Sequence, residues 1–108
     1  MADFYIRQGD TVPIIVATLQ DANGVVDLTN ATSVAFHMAN PGTARVKTLG
    51  TCDIIDLREG KVSYAWTATD TDTAGLWSGE FKVTWGDGTI ERFPNDHNIV
   101  IQILTSLA

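Results

Sequence analysis

From Trp77 to Trp85 the chain alternates with a period of two: Trp77, Gly79, Phe81, Val83 and Trp85 share one side, and Ser78, Glu80, Lys82 and Thr84 the other. Successive side chains of extended backbone point to opposite sides, so this is the period of a strand with one buried face. Val62, Tyr64 and Trp66 alternate with Lys61, Ser63 and Ala65 in the same way, and all three tryptophans fall on these two runs. Between Ser33 and Met38 the pattern recurs, with Val34, Phe36 and Met38 inward and Ser33, Ala35 and His37 outward. Phe36, Tyr64, Trp66, Trp77 and Phe81 are the expected core aromatics, and His37 is expected to face solvent.

Turn chemistry punctuates these runs at short intervals: Gly9-Asp10, Asp21-Ala22-Asn23-Gly24, Asp27-Leu28-Thr29-Asn30, Asn40-Pro41-Gly42, Arg58-Glu59-Gly60, Gly86-Asp87-Gly88 and Pro94-Asn95-Asp96. The segments between them are rich in Val, Ile, Thr, Phe and Trp, which predicts an all-β sandwich or barrel. The predicted strands run over 4–8, 11–20, 25–26, 33–38, 45–49, 51–56, 61–66, 77–85, 89–93 and 99–104, with no helix. Pro13 lacks an amide donor and so belongs near a strand start or on a sheet edge.

Two strands break the rule that the outer face is polar. If Ile15, Ala17 and Leu19 point inward, Ile14 and Val16 point outward; if Ile99, Ile101 and Ile103 point inward, Val100 and Leu104 are left outside. In sandwiches whose first and last strands are neighbours, these residues merge into one apolar patch of the kind that marks protein contacts. The other reading is that a loop or tail covers them. Ile14, Val16, Val100 and Leu104 are therefore the candidate interface, for copies of the chain or for another protein.

Composition narrows the functional classes. A chain of 108 residues with 44% apolar content builds one core, as a single domain over 1–108, without metal or disulfide staples. The lone Cys52 has no internal partner, and no basic segment leads into an apolar run. A protein made in the cytoplasm with no membrane partner is expected. The net charge of -6, with seven scattered basic residues, argues against a nucleic-acid partner.

Candidate chemistry is sparse. His37, His97, Ser33, Ser63 and Ser78 fall into no motif of a nucleophile with its base, so no catalytic residues and no enzyme are expected. The Asp70–Asp72 loop and Asp21-Ala22-Asn23 offer oxygens to Ca²⁺ but lack the spacing of a calcium loop; Asx turns and amide capping account for the same residues. No metal or cofactor is expected. The tryptophans invite a glycan-binding reading, which their core parity opposes; Tyr5 and Trp85, near strand ends, are the most exposed of the aromatic set.

Taken in order, Gln8-Gly9-Asp10-Thr11, Leu19-Gln20-Asp21-Ala22-Asn23-Gly24, Asp27-Leu28-Thr29-Asn30-Ala31, Asp70-Thr71-Asp72-Thr73-Ala74-Gly75 and Phe93-Pro94-Asn95-Asp96 resemble a known family. They are similar to the immunoglobulin-like N-terminal domain of phage baseplate upper proteins and related small phage or prophage structural proteins. That resemblance implies an immunoglobulin-like β-sandwich of about seven to nine mostly antiparallel strands. It also implies a non-enzymatic virion component in the baseplate, tail or capsid, made in the host bacterial cytoplasm, that docks onto other virion proteins or onto copies of itself as a homo-oligomer. A glycan-binding adhesion module is the alternative. Gly75, Trp77 and Gly79 also echo the Gly, Tyr and Cys of the immunoglobulin corner, with Trp replacing the Tyr whose hydroxyl anchors it.

Overall fold

The computed structural model describes residues 2–43 and 45–107. Among these residues the alternation and turn signals produce eleven strands: β1 Phe4–Arg7, β2 Ile15–Thr18, β3 Gln20–Asp21, β4 Gly24–Val25, β5 Ala31–Ala39, β6 Val46–Thr51, β7 Asp53–Asp56, β8 Lys61–Tyr64, β9 Gly75–Trp85, β10 Ile90–Phe93 and β11 Ile99–Leu104. No helix occurs among the described residues. The larger sheet is ordered β1-β11-β9-β5-β6, with β10 also on β9; the smaller is β2-β8-β7, and β3 and β4 form a separate hairpin. The protein is an all-β sandwich.

β9 organises the larger sheet. Along one side it pairs with β5, and along the other with β11 over Gly75–Gly79 and then with β10 over Phe81–Thr84. Residues 94–98 lie between those two partners. The β9–β10 connection closes through Gly88 at φ 89°, a left-handed conformation that glycine adopts without strain.

The predicted core aromatics are all inside: Phe36, Tyr64, Trp66, Trp77 and Phe81 are each at most 8% exposed. Phe36 joins the two sheets, with ring centroids 5.1 Å from Tyr64, 5.5 Å from Trp66 and 5.2 Å from Phe81. His37 points outward as expected and is half-buried, its Nδ1 3.1 Å from Glu80 Oε2, which also accepts from Arg92 Nε at 3.0 Å.

The predicted merging of the interface residues is corrected by the topology. The run 11–20 is regular only over Ile15–Thr18, because after Arg7 the chain turns at Gly9 and leaves the larger sheet. Crossing there, it is held by the Gly9 N–H donating to the Thr71 carbonyl at 3.0 Å. β1 stays beside β11, as the neighbour rule requires, but β2 joins β8 in the other sheet. Ile14 and Val16, 40% and 47% exposed, thus lie on the smaller sheet, while half-buried Val100 and Leu104 lie on the larger one. On and just after β7, Ile54 is half-buried and Leu57 is exposed.

Cys52 sits where the chain passes from β6 in one sheet to β7 in the other, its N–H donating to the Val34 carbonyl. Burial, helped by the neighbouring Asp53 carboxylate, pushes its thiol up to about 12. Only the thiolate is nucleophilic, so iodoacetamide at pH 8 should label the folded protein on the order of a hundredfold more slowly than the urea-unfolded chain. Equal rates would place the thiol at the surface.

Candidate functional site

Two polar constellations stand out, and only one is open to solvent. The closed one centres on Asp70, which is 8% exposed. Tyr64 points its ring into the core, so its hydroxyl requires a partner there. The loop after Trp66 supplies it: the Tyr64 hydroxyl donates to Asp70 Oδ2 at 2.7 Å, the Thr67 N–H to the same oxygen at 2.8 Å, and the Thr48 hydroxyl to Asp70 Oδ1 at 2.8 Å. Burial pushes this carboxyl up, but the Thr67 N–H, the Tyr64 hydroxyl and the Thr48 hydroxyl together outweigh it and hold the group below the usual carboxylate value. The Tyr64 hydroxyl is pushed well up by burial and by Asp70. This is a structural keystone. Its neighbour Thr71, fully buried, donates its hydroxyl to the Asp10 carbonyl and fastens the β1–β2 crossing.

The immunoglobulin corner is present in altered form. Trp77 keeps an anchor after all, because its indole N–H donates to the Thr73 carbonyl at 3.2 Å. The expectation that Trp for Tyr removes this tie is therefore corrected: the nitrogen replaces the hydroxyl.

The open constellation is a cleft of about 690 Å³ between the two sheets, on the side where β2 ends the smaller one. Ile15, Leu19, Phe81 and Phe93 form its buried floor, and half-buried Phe4 and Ile99 form its wall. Asp3, Asp21, Asp96 and His97 stand at its mouth. Asp3 Oδ2 accepts from the Val100 N–H, Asp21 Oδ1 from the Asn23 N–H at 2.8 Å, and Asp96 Oδ1 lies 2.6 Å from His97 Nδ1. The bond from His97 holds the Asp96 carboxyl below its ordinary value, so that group is charged at neutral pH.

Above the floor runs the free edge of β2. Leu19 donates its N–H to Gly60 on the β8 side. Because a residue's N–H and C=O point the same way in an antiparallel strand and alternate along it, Ile15 and Ala17 face β8 while Val16 and Thr18 turn theirs outward; the Leu19 carbonyl accepts from the Val26 N–H. Among the described residues no backbone partner meets them there.

The other sequence candidates do not converge. Among the described residues no group of three or more His, Cys, Asp and Glu is placed to hold a metal ion. Asp70 is committed to its three donors and Asp21 to an Asx turn. His37 lies on the outer face of the larger sheet and His97 at the cleft mouth. Of the tryptophans only Trp85 is half-exposed, with its N–H on Glu91, while Tyr5 is 48% exposed. The cleft went unread in the sequence because its floor residues look like ordinary core. The signals that pointed to it were Ile14 and Val16 on an otherwise polar face.

No family model matches the chain, and no curated protein matches it. Among solved structures it is similar to CopC from Methylosinus trichosporium OB3b, with 12% identity and a TM-score of 0.52 over 100% of this chain and 89% of that one. The likeness is one of fold and agrees with the β-sandwich. The expectation of a phage virion component, with its glycan-binding alternative, is corrected here: the likeness found is to CopC and not to a part of a phage particle.

Proposed function

We propose that this chain is a non-catalytic binding module that takes its ligand in the cleft beside β2. The observation that carries the reading is an apolar floor joined to an acidic mouth, the combination of hydrophobic lining and few placed polar groups typical of ligand sites. Such a site favours a ligand with an apolar body and a cationic or hydrogen-bonding end. An organic ligand is favoured over a metal ion, because among the described residues no group of three or more His, Cys, Asp and Glu is placed to hold one, and Cys52 is buried and protonated.

The neutral dye N-phenyl-1-naphthylamine tests the site. It should bind the folded protein with one-to-one stoichiometry and a fluorescence rise. Ala17→Phe, which puts apolar bulk at the cleft wall, should weaken it by at least about tenfold, or about 1.4 kcal/mol, with the melting transition retained. Dye binding that is absent from the native protein, or indifferent to Ala17→Phe, would remove the cleft from consideration.

A further inference from the structure

Resting on that reading, we infer that the ligand is an extended segment of a partner protein, apolar at alternate positions and flanked by basic residues, that adds to β2 as a new edge strand. The free edges of the sandwich are not alike. β1 carries Arg7, β6 carries Lys47, β10 carries Glu91 and Arg92, and β7 carries Asp53 and Asp56 with a bulge after Ile54. Charges and bulges are among the devices by which edge strands resist further pairing. β2 has neither: Ile15-Val16-Ala17-Thr18 is regular, uncharged and preceded by exposed Ile14. Its outward N–H and C=O groups at Val16 and Thr18 are the row that an incoming strand requires.

The cleft tells what that strand carries. A strand laid against β2 points alternate side chains into the space between the sheets, over Phe93, Phe4 and Ile99, so those positions are apolar. At the mouth Asp3, Asp21 and Asp96 present carboxylates, with the His97 imidazole beside them. A second copy of this chain would bring its own acidic mouth and its own share of a net charge of -6 against the first. Like charges disfavour that pairing, and a basic partner is attracted.

A capped Lys-Val-Thr-Val-Thr-Val-Lys peptide is the probe, followed by anisotropy and by amide shifts of the labelled protein. Binding is expected, with the largest shifts at Val16 and Thr18. Two N-methylated versions, blocking alternate amides, should separate: one parity binds as the parent does and the other is weakened at least tenfold. A Glu-flanked version should bind at least tenfold more weakly, and added salt should weaken the Lys peptide but not the dye. Val16→Pro removes an outward N–H without touching a bond to β8 and should also cost tenfold; if that variant unfolds, the N-methylated pair carries the test. The proposal is overturned if both N-methylated peptides bind alike, or if the Glu-flanked peptide binds as well. Dye binding with no peptide binding would sink the strand-addition inference and leave the cleft reading standing, whereas loss of both would sink the cleft itself. A dimer by light scattering that Val16→Pro dissociates would assign the edge to a second copy instead.

Discussion

Asp70→Ala is expected to lower the stability of the domain by on the order of 3–5 kcal/mol, enough to shift the melting temperature by more than about 10 °C. The carboxylate receives the Tyr64 hydroxyl, the Thr48 hydroxyl and the Thr67 N–H, and deletion leaves the two buried hydroxyls of Tyr64 and Thr48, along with the part-buried Thr67 N–H, without an acceptor. Each orphaned buried donor costs about 1–3 kcal/mol, which makes the donors, not the lost charge, the main term. Tyr64→Phe removes one donor and keeps the acceptor, so it should cost the lesser amount. The sign of the pH dependence follows from the depressed carboxyl: its contribution is complete above the ordinary carboxylate value and is lost as pH falls through the lower folded value. In urea melts from pH 7 downward, the stability difference between the wild type and Asp70→Ala should therefore narrow at the acid end without vanishing. A difference that stays constant with pH would mean that the ionised form is not what the donors hold.

Gly50→Ala is expected to destabilise by about 3 kcal/mol or to prevent folding, beyond what one methyl group ordinarily costs. The added Cβ would stand 2.1 Å from Tyr64 Cε1 and 2.7 Å from its Cζ and hydroxyl oxygen. A flexible tip would step aside, but this ring is stacked on Phe36, meets Trp66 edge-on at 5.6 Å, and is tied by its hydroxyl to Asp70. The strain has nowhere to go. In a Tyr64→Ala background the same Gly50→Ala change should cost under about 1 kcal/mol, a strong coupling that denaturant melts of the four proteins would read. An unchanged cost in that background would show that the methyl group meets something other than Tyr64.

The sandwich was legible because period-two alternation survives without tertiary information. Val34, Phe36 and Met38, or Trp77, Phe81 and Val83, need only a sheet to face the same way. What alternation does not encode is which sheet a strand joins. β1 and β2 read as the start of one edge, yet the crossing held by Gly9 and Thr71 sends Ile15 to β8 and separates Ile14 and Val16 from Val100 and Leu104. Loop polarity misled in a similar way: Asp70, inside a run of Asp and Thr, looked like a solvated turn, and its burial became visible only once Tyr64 was seen to need a partner for its hydroxyl. The cleft could not be found from any one residue, since Phe4, Phe93 and Ile99 differ from core positions only in the gap that the sheets leave beside β2.

The parallel pairing of β1 with β11 also bears on how the domain carries force. Phe4 lies against Ile101 and Arg7 against Leu104, so tension applied before β1 and after β11 pulls two side-by-side strands in opposite directions along their length. All the bonds between them are then loaded together, with none able to open before the rest as in a zipper. A protein anchored at both ends would yield late and abruptly, with unfolding set by its rate under load.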